Sequence, residues 1–351
     1  MSMDISHKNF VDLFKVIYLS IKILREINKI LNNIIIIVEK KMDFYNQSII
    51  SAKQFSREDI EFVIEIAEKI EEKKEEYADF LKGKIMATLF FEPSTRTRLS
   101  FESSMLRLGG KVLGFSTSDV SSVKKGETLA DTIRTVSNYT DIIVLRNSME
   151  GAAKLGEKFA SVPIINGGSG SKEHPTQALL DMLTIYEEKK KFDGLNIGLI
   201  GDLKYGRTVH SLAYMLSNFN VNLYFISPKQ LRMQYRVTDA LMRKHVAYKV
   251  TKKFKATLPI LDVIYMTRIQ KERFPDKEEY EKVKNLFILG EDELELVRDD
   301  AIIMHPLPRV NEISSKIDDD PRAIYFKQTY YGLMLRKALL ALILSKEAKN
   351  L

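Results

Sequence analysis

Short apolar runs alternate with amphipathic helical patterns along most of the chain. From residue 83 onward we read strands near 85–91, 111–116, 141–146, 162–166, 195–201, 222–227, 263–268 and 301–305. Apolar residues at helical spacing lie between most of these runs, which predicts parallel sheets covered on both faces. The pattern therefore predicts an α/β fold of two doubly wound parallel-sheet domains joined by bridging helices.

Three helical patterns help to place the domain boundaries. A helix with the capping sequence Ser-Arg-Glu-Asp at 56–59 runs to about Glu76. We expect the helix from about Pro175 to Lys190 to bridge the domains, and a helix from about Leu333 to return to the first domain. The predicted domains are residues 42–182 and residues 183–327, with residues 328–351 packed back on the first.

The first 41 residues differ from the rest of the chain. Phe10, Phe14, Ile17 and Ile21 mark one face of a lysine-bearing amphipathic helix. This N-terminal extension is a candidate partner helix, surface anchor or targeting segment. The simpler interpretation is a dispensable extension, because a self-sufficient pattern begins at Met42. Its role stays open.

The stretch from Phe90 to Phe101 carries the clearest chemical signal. It turns from an apolar strand into a helix, and Ser94, Thr95, Arg96 and Thr97 lie where the helix begins. A helix N-terminus presents unpaired N–H groups and a positive dipole end, so this turn predicts an anion site, most simply for phosphate. The alternative is an ordinary helix cap with the arginines in solvent.

Composition narrows the function classes. The chain has no cysteine, which excludes disulfides, thiolate metal sites and a cysteine nucleophile. Its net charge of +7 is spread thinly, unlike the clustered charge of a nucleic-acid face. No apolar run approaches the roughly 20 residues of a membrane span. We expect a soluble, cytoplasmic protein that binds neither nucleic acid nor membrane.

Polar clusters follow nearly every predicted strand. In parallel α/β sheets, ligands bind beyond the carboxyl ends of the strands, so one cleft between two domains would collect these clusters. They are 92–98, 118–127, residue 146, 166–177, 201–208, 268–273 and 305–309. For Lys124 and Lys125 in the second cluster, the simpler interpretation is a pair of solvated side chains in a loop. Arg146 is interpreted equally well as an ordinary surface arginine.

Two of these clusters suggest different chemistry. His174 and Gln177 lie one turn apart at the start of a helix, so together they can donate to and accept from one small group. The segment 201–208 resembles a phosphate-binding P-loop apart from Arg207 in the lysine position. A nucleotide triphosphatase remains a minor alternative, because no strand supplies a clear aspartate for magnesium.

The last two clusters complete the inventory. Arg268 and Gln270 project to one side after a strand, and with Arg207 they offer two guanidiniums and an amide to a doubly negative ligand. Prolines hold the backbone rigid at 305–309. Charged surface loops and a strand terminator are the competing interpretations. With no paired carboxylates or metal-ligand cluster, the set fits a cofactor-free group transfer between two anions, driven by positioning and charge.

The motifs closely resemble those of the aspartate carbamoyltransferase family, over about residues 42–351. They are Phe-Phe-Glu-Pro-Ser-Thr-Arg-Thr-Arg at 90–98, Lys-Lys-Gly-Glu-Thr-Leu-Ala-Asp-Thr at 124–132, His-Pro-Thr-Gln at 174–177, Gly-Asp-Leu-Lys-Tyr-Gly-Arg-Thr-Val-His at 201–210, Arg-Ile-Gln-Lys-Glu-Arg at 268–273 and His-Pro-Leu-Pro-Arg-Val at 305–310. The resemblance implies transfer of the carbamoyl group from carbamoyl phosphate to the amine of L-aspartate, in pyrimidine synthesis.

The resemblance also implies roles for individual residues. Catalysis would involve Arg96, Thr97, Lys125, Arg146 and His174. Carbamoyl phosphate would be held by Ser94, Thr95, Arg96, Thr97, Arg146, His174, Gln177, Leu307 and Pro308, with Ser121 and Lys125 from a neighbouring subunit. Aspartate would be held by Lys125, Arg207, Arg268 and Gln270. A homotrimer with shared active sites would be the minimal unit, with zinc-bearing regulatory chains as possible partners and no metal or cofactor on this chain.

Some positions depart from the family pattern, and two rivals remain. Asn147-Ser148 stands where His-Pro is common, and Ser169 and Asn311 stand where aspartate is common. These departures bear on loop geometry and affinity. An ornithine carbamoyltransferase would be similar in the phosphate half but have a cysteine at Pro306. An inactive carbamoyltransferase-like scaffold would be expected to lack a principal ligand.

Overall fold

The computed structural model describes residue 24, residues 42–117, 126–170 and 172–270, residue 274, and residues 277–351. The described chain contains two parallel sheets with helices packed against them, which confirms the predicted α/β fold class. Apart from residue 24, the predicted N-terminal helix within residues 1–41 lies outside the described residues. The loop that holds Ser121 and Lys125 lies outside them as well.

The first sheet carries the predicted anion site at its carboxyl edge. Its strands are β1 (Ile85–Phe90), β2 (Lys111–Phe115), β3 (Ile142–Asn147) and β4 (Ile164–Ser169), all parallel, in the spatial order β2-β1-β3-β4. The helices of this part are α1 (Arg57–Glu72), α2 (Thr95–Arg107), α3 (Leu129–Ser137) and α4 (Ala152–Phe159). Phe90 pairs with Arg146 across β1 and β3, so the turn that follows β1 lies beside Arg146.

The second sheet is also entirely parallel. After the linking helix α5 (Pro175–Lys189) come β5 (Asn196–Ile200), β6 (Asn222–Ile226), β7 (Ala247–Thr251), β8 (Val263–Met266) and β9 (Ile302–Met304), in the order β7-β6-β5-β8-β9. Its helices are α6 (Arg207–Leu216), α7 (Tyr235–Arg243), α8 (Phe254–Thr257), α9 (Lys277–Val283) and α10 (Glu291–Leu294). Ile200 pairs with Met266, which sets the loops after β5 and β8 side by side.

Two helices connect the parts that carry the two sheets. Helix α5 packs against α6, and the C-terminal helix α11 (Lys327–Leu344) packs against α1, α2 and α5. Helix α11 is buried along most of its length, because neighbouring helices cover it on several sides. The assignment of this helix to the first domain stays a prediction. The boundaries at residues 41/42 and 182/183 stay predictions.

Most predicted elements match the structure, and the differences have physical causes. All eight predicted strands are present, but β7 was missed. It lies at the sheet edge, and its sequence Ala-Tyr-Lys-Val-Thr leaves several side chains exposed, so it lacks the apolar run of a buried strand. Helix α11 begins at Lys327, six residues before the predicted start. Its first turn is polar and lacks an apolar pattern, and Gln328 holds it through hydrogen bonds to Asp181 and the His305 N–H.

Each sheet has its own hydrophobic core. Ala87, Leu89, Ile133, Ile143, Leu145 and Ile164 form one buried cluster under the first sheet. A larger cluster under the second includes Ile200, Ile226, Ile264, Met266 and Tyr325. Among the described residues, no helix combines the length and apolar character needed to cross a bilayer.

Candidate active site

A cavity of about 890 Å³ opens at the carboxyl ends of both sheets. Twelve of the predicted ligands line it: Ser94, Thr95, Arg96, Thr97, Arg146, His174, Gln177, Arg207, Arg268, Gln270, Leu307 and Pro308. They come from strand ends of both sheets, as expected for parallel α/β folds. Ser121 and Lys125 lie outside the described residues.

The turn between β1 and α2 forms one wall of the cavity. Ser94 is the N-cap residue in an extended conformation, and within the described residues its hydroxyl makes no capping hydrogen bond to the first turn. Arg96 also faces the cavity, and burial lowers its pKa. Arg98, by contrast, pairs with Glu102 at 2.7 Å on the same helix. The first turn therefore offers hydroxyls, amides and one guanidinium to an anion.

A glutamate bridges arginines from both halves of the cleft. Glu92 Oε1 lies 2.9 Å from Arg146 Nη2 and 3.2 Å from Arg207 Nη2. Arg146 also donates to the Gly167 carbonyl at 3.1 Å, and Arg207 donates to the Gly170 carbonyl at 2.8 Å. Burial, together with the charge of Arg207, lowers the pKa of Arg146 to about 10. Glu92 thus holds two guanidiniums beside each other in spite of their repulsion.

Sequence reasoning gave Glu92 no role of its own. The sequence places it in the loop after β1 and in the motif at 90–98, but neither position assigned it a function. Its position directly after a strand end was the available signal, since residues at that edge point toward ligands. Its partners belong to β3 and α6, and only the folded chain brings these together.

His174 lies at the start of α5 and is buried and uncharged. Its backbone N–H donates to Ser211 Oγ at 2.9 Å, and among the described residues its Nδ1 atom has no hydrogen-bond partner. Burial lowers the His174 pKa well below its usual range, and the charges of Arg207, Arg146 and Arg336 lower it further. At neutral pH the ring is a neutral imidazole, which can donate one hydrogen bond and accept another.

The loops after β5 and β8 meet at the other end of the cavity. Gly201 has a φ of +111°, and a Cβ there would lie 2.4 Å from the Thr267 carbonyl oxygen, so only glycine permits this contact. The buried Asp202 carboxylate accepts the N–H groups of Tyr205 at 2.9 Å and Lys204 at 3.2 Å. Burial raises the pKa of Asp202 to about 6. These contacts shape the loop that leads into Arg207.

The segment after β9 is held by a buried histidine–glutamate pair. His305 Nε2 lies 2.7 Å from Glu312 Oε1, and the Leu307 N–H donates to His305 Nδ1 at 2.8 Å. The backbone of Leu307 has a φ of +52°, which is uncommon for a residue with a side chain. Leu307 and Pro308 border the cavity, and the hydrogen bond from the Leu307 N–H to His305 holds their segment on the side away from the cavity.

The described residues contain no group of three or more histidine, aspartate or glutamate side chains arranged to hold a metal ion. The cavity instead combines guanidiniums, hydroxyls, helix N–H groups, one neutral imidazole and side-chain amides. Such a set can bind two anions side by side and stabilise charge that moves between them.

Two family models match the chain. Residues 47–187 match the carbamoyl-P binding domain of aspartate/ornithine carbamoyltransferases, and residues 193–343 match the Asp/Orn binding domain of the same family. The chain is 53% identical over 305 residues to the aspartate carbamoyltransferase catalytic subunit of Thermococcus kodakarensis, an alignment that covers 86% of this chain and 98% of that protein.

Solved structures are similar over the same region. One is aspartate transcarbamoylase from Trypanosoma cruzi in complex with N-(phosphonacetyl)-L-aspartic acid, with a TM-score of 0.83, 42% identity, and coverage of 87% of this chain and 98% of that chain. Another is the same enzyme in complex with carbamoyl phosphate, also with a TM-score of 0.83 and 42% identity, covering 86% and 97% of the two chains.

Proposed function

The chain belongs to the aspartate/ornithine carbamoyltransferase family, and on this premise we propose how its residues share the work of the reaction. The chain is an enzyme that transfers the carbamoyl group from carbamoyl phosphate to the amine of L-aspartate. The products are N-carbamoyl-L-aspartate and phosphate. One observation carries the proposal: a helix N-terminus rich in hydroxyls and a second cluster with two arginines border one cavity.

The phosphate group is bound by the first turn of α2. Ser94, Thr95 and Thr97 supply hydroxyls and N–H groups, and Arg96 supplies charge. Two observations support this assignment. The Ser94 hydroxyl makes no capping hydrogen bond within the described residues, and all four residues line the cavity. Phosphate is the leaving group, so donors aimed at it stabilise the negative charge that grows as the C–O bond breaks.

The carbamoyl group lies between Arg146, His174 and Thr97 on one side and Gln177 on the other. Arg146, His174 and Thr97 polarise the carbonyl oxygen, while Gln177 and the carbonyls of Leu307 and Pro308 accept from the amino group. The neutral state of His174 supports a role as an N–H donor that adds no charge repulsion beside the two arginines. Each oriented donor of this kind contributes about 2.7–4 kcal/mol to the transition state.

L-aspartate is bound by Arg207, Arg268 and Gln270, with Lys125. Two guanidiniums match two carboxylates, and their fork geometry favours carboxylate over a single point charge. The amine is then held facing the carbamoyl carbon, and positioning of two bound reactants can supply about 7–11 kcal/mol of the barrier reduction. Arg207 donates to the carboxylate of Glu92 at 3.2 Å, which supports its assignment to an anion.

A product assay tests the substrate assignment. Purified protein is incubated with carbamoyl phosphate and either L-aspartate or L-ornithine, and the carbamoylated product is quantified. We expect N-carbamoyl-L-aspartate and no more than background citrulline. Turnover of ornithine instead of aspartate would contradict the assignment, and turnover of neither by folded protein would support an inactive scaffold.

We further propose a homotrimer in which Ser121 and Lys125 of one subunit complete the site of the next. The support is the resemblance of the segment 124–132 to the family motif. This arrangement predicts complementation between two inactive variants. Lys125→Ala and Arg96→Ala trimers, dissociated and mixed, should recover part of the wild-type activity, because a hybrid contains some sites that lack neither residue.

The controls for complementation are internal to the mixture. Each variant dissociated and reassociated alone should stay inactive, and native mass spectrometry should verify subunit exchange. If exchange is proven and activity does not return, each site draws both residues from one chain and the shared-site proposal is wrong.

The cellular setting follows from the reaction. We propose that the enzyme acts in cytoplasmic pyrimidine synthesis, with carbamoyl phosphate and L-aspartate as its small-molecule partners. Zinc-bearing regulatory chains are a further proposed partner. Co-purification of such a chain in stoichiometric amount, with zinc measured in the complex, would test that association.

A further inference from the structure

A fully buried carboxylate lies directly behind the cavity wall. Asp181 is 0% exposed and belongs to α5, one turn after Gln177. Its Oδ1 atom is 2.9 Å from Gln177 Nε2 and 2.6 Å from Gln328 Nε2, and its Oδ2 atom is 2.7 Å from the Tyr265 hydroxyl. Helices α5 and α11 and strand β8 thus all place a hydrogen-bond donor against this one group.

The direction of these hydrogen bonds is determined by a backbone group. The His305 N–H, which can only donate, lies 3.0 Å from Gln328 Oε1. Gln328 must therefore turn its NH₂ group toward Asp181, so Asp181 Oδ1 is an acceptor. The Gln177 amide contacts the same Oδ1 atom, and since an ionised carboxylate can only accept, Gln177 donates to it through its NH₂ group. Its own oxygen, Oε1, is then left to accept from another partner.

This orientation matters for the carbamoyl group. We propose that Asp181 is a positioning residue that holds the Gln177 amide with its oxygen toward the substrate and so selects a carbamoyl NH₂ over groups that cannot donate. The proposal deepens the proposed function, because it rests on the contact between Gln177 and the carbamoyl amino group. A Gln177 amide turned the other way would place its NH₂ against the substrate NH₂, and the contact would be repulsive.

The same contacts link the two acceptors expected to bind the amino group. From Asp181, Gln328 continues to the His305 N–H, and His305 Nδ1 accepts the Leu307 N–H. Gln177 and the segment of Leu307 are therefore held in register by one buried network. Loss of the Asp181 carboxylate would leave buried donors of this network without an acceptor. We therefore expect it to displace both Gln177 and the Leu307 segment.

Burial raises the pKa of Asp181 to about 7, while its three hydrogen bonds and the nearby charge of Arg336 favour the ionised form. Binding assays are therefore run at a pH of about 8.5, where Asp181 of the wild type is ionised, and the variants are measured at the same pH.

The test compares two ligands that differ in one group. Acetyl phosphate carries CH₃ where carbamoyl phosphate carries NH₂. The dissociation constant of acetyl phosphate divided by that of carbamoyl phosphate therefore reports the hydrogen bonds made by the amino group. Calorimetry should give a ratio for Asp181→Leu that is about tenfold lower than the wild-type ratio, as expected for one lost hydrogen bond. Asp181→Asn keeps an acceptor oxygen and should restore most of the selectivity.

A matched control and a second measurement make the test decisive. Thr184→Val removes another buried hydrogen bond of α5, from the Thr184 hydroxyl to the Leu180 carbonyl at 2.7 Å, and should leave the ratio unchanged. If Asp181→Leu does not fold, a crystal structure of the wild-type carbamoyl phosphate complex replaces it. That structure should retain the Gln177–Asp181 hydrogen bond, and a complex in which Gln177 has left Asp181 would overturn the proposal.

Gln177→Leu tests the contact between Gln177 and the amino group separately from the positioning of Gln177 by Asp181. If it lowers the ratio and Asp181→Leu does not, Asp181 has no positioning role although Gln177 binds the amino group. If Gln177→Leu leaves the ratio unchanged, the assigned role of Gln177 is itself wrong and the proposal for Asp181 is overturned with it. If both lower the ratio while Asp181→Asn restores it, the proposal is supported.

Discussion

Replacing Arg96 with alanine should lower kcat/KM for carbamoyl phosphate by about 10²- to 10³-fold, the usual cost of removing one donor from a developing anion. Arg96 lies in the first turn of α2 and borders the cavity, where burial lowers its pKa. In the proposed mechanism its charge acts on the phosphate as the leaving group becomes more negative, so kcat should fall along with affinity. Initial-rate kinetics at saturating aspartate would measure both parameters.

Arg98→Ala is the matched control for this variant. Arg98 is two residues away on the same helix, but it forms an i,i+4 ion pair with Glu102. Arg98 does not line the cavity, so its loss should affect the helix rather than the bound substrate, and kcat/KM should stay within about twofold of the wild-type value. Equal losses in the two variants would show that Arg96 acts through the stability of α2 rather than by contact with phosphate.

Replacing Arg268 with alanine should raise KM for aspartate by about 10²-fold, because truncating one partner of a buried charge pair costs about 2–5 kcal/mol. Arg268 follows β8 and borders the cavity, and it is far along the chain from the turn at 94–97 that is proposed to bind phosphate. The dissociation constant for carbamoyl phosphate, measured without aspartate, should change little. This separation between two substrates distinguishes Arg268 from Arg96.

Arg243→Ala provides the control in the same part of the chain. Arg243 forms an exposed i,i+4 pair with Asp239 on α7, and its loss should leave both substrate parameters near their wild-type values. If Arg268→Ala and Arg96→Ala showed the same kinetic profile, the division of the cavity into a phosphate end and an aspartate end would be refuted.

The sequence predicted the elements whose burial pattern is simple. Strands covered on both faces are continuous apolar runs, and the strands near Ile85 and Ile197 were recognised for that reason. The edge strand β7 has exposed polar side chains and gave no such signal. The start of α11 was placed late because its first turn is polar and is held by the hydrogen bonds of Gln328 to residues far away in the chain.

The candidate site was predictable to the extent that it follows strand ends. The resemblance of six motifs to one family assigned Arg96, Arg146, His174 and the other ligands, and those in the described residues line one cavity. The roles of Glu92 and Asp181 were not predicted. Glu92 contacts arginines of other elements, and Asp181 contacts Tyr265 and Gln328 of other elements besides Gln177 on its own helix. An acidic residue in a loop or helix has no local pattern that reveals such distant contacts.

By itself, the sequence determined the fold class, the position of the helix N-terminus with its hydroxyls and arginine at 94–97, and the residue types able to bind two charged substrates. These depend on local periodicity and on chemistry carried by single residues. Tertiary structure alone decided which guanidiniums lie beside Glu92 and which way the Gln177 amide points. Those properties depend on the contacts of Arg207 with Glu92 and of Gln328 with Asp181. These pairs are far apart in the chain, and only tertiary packing brings them within hydrogen-bonding distance.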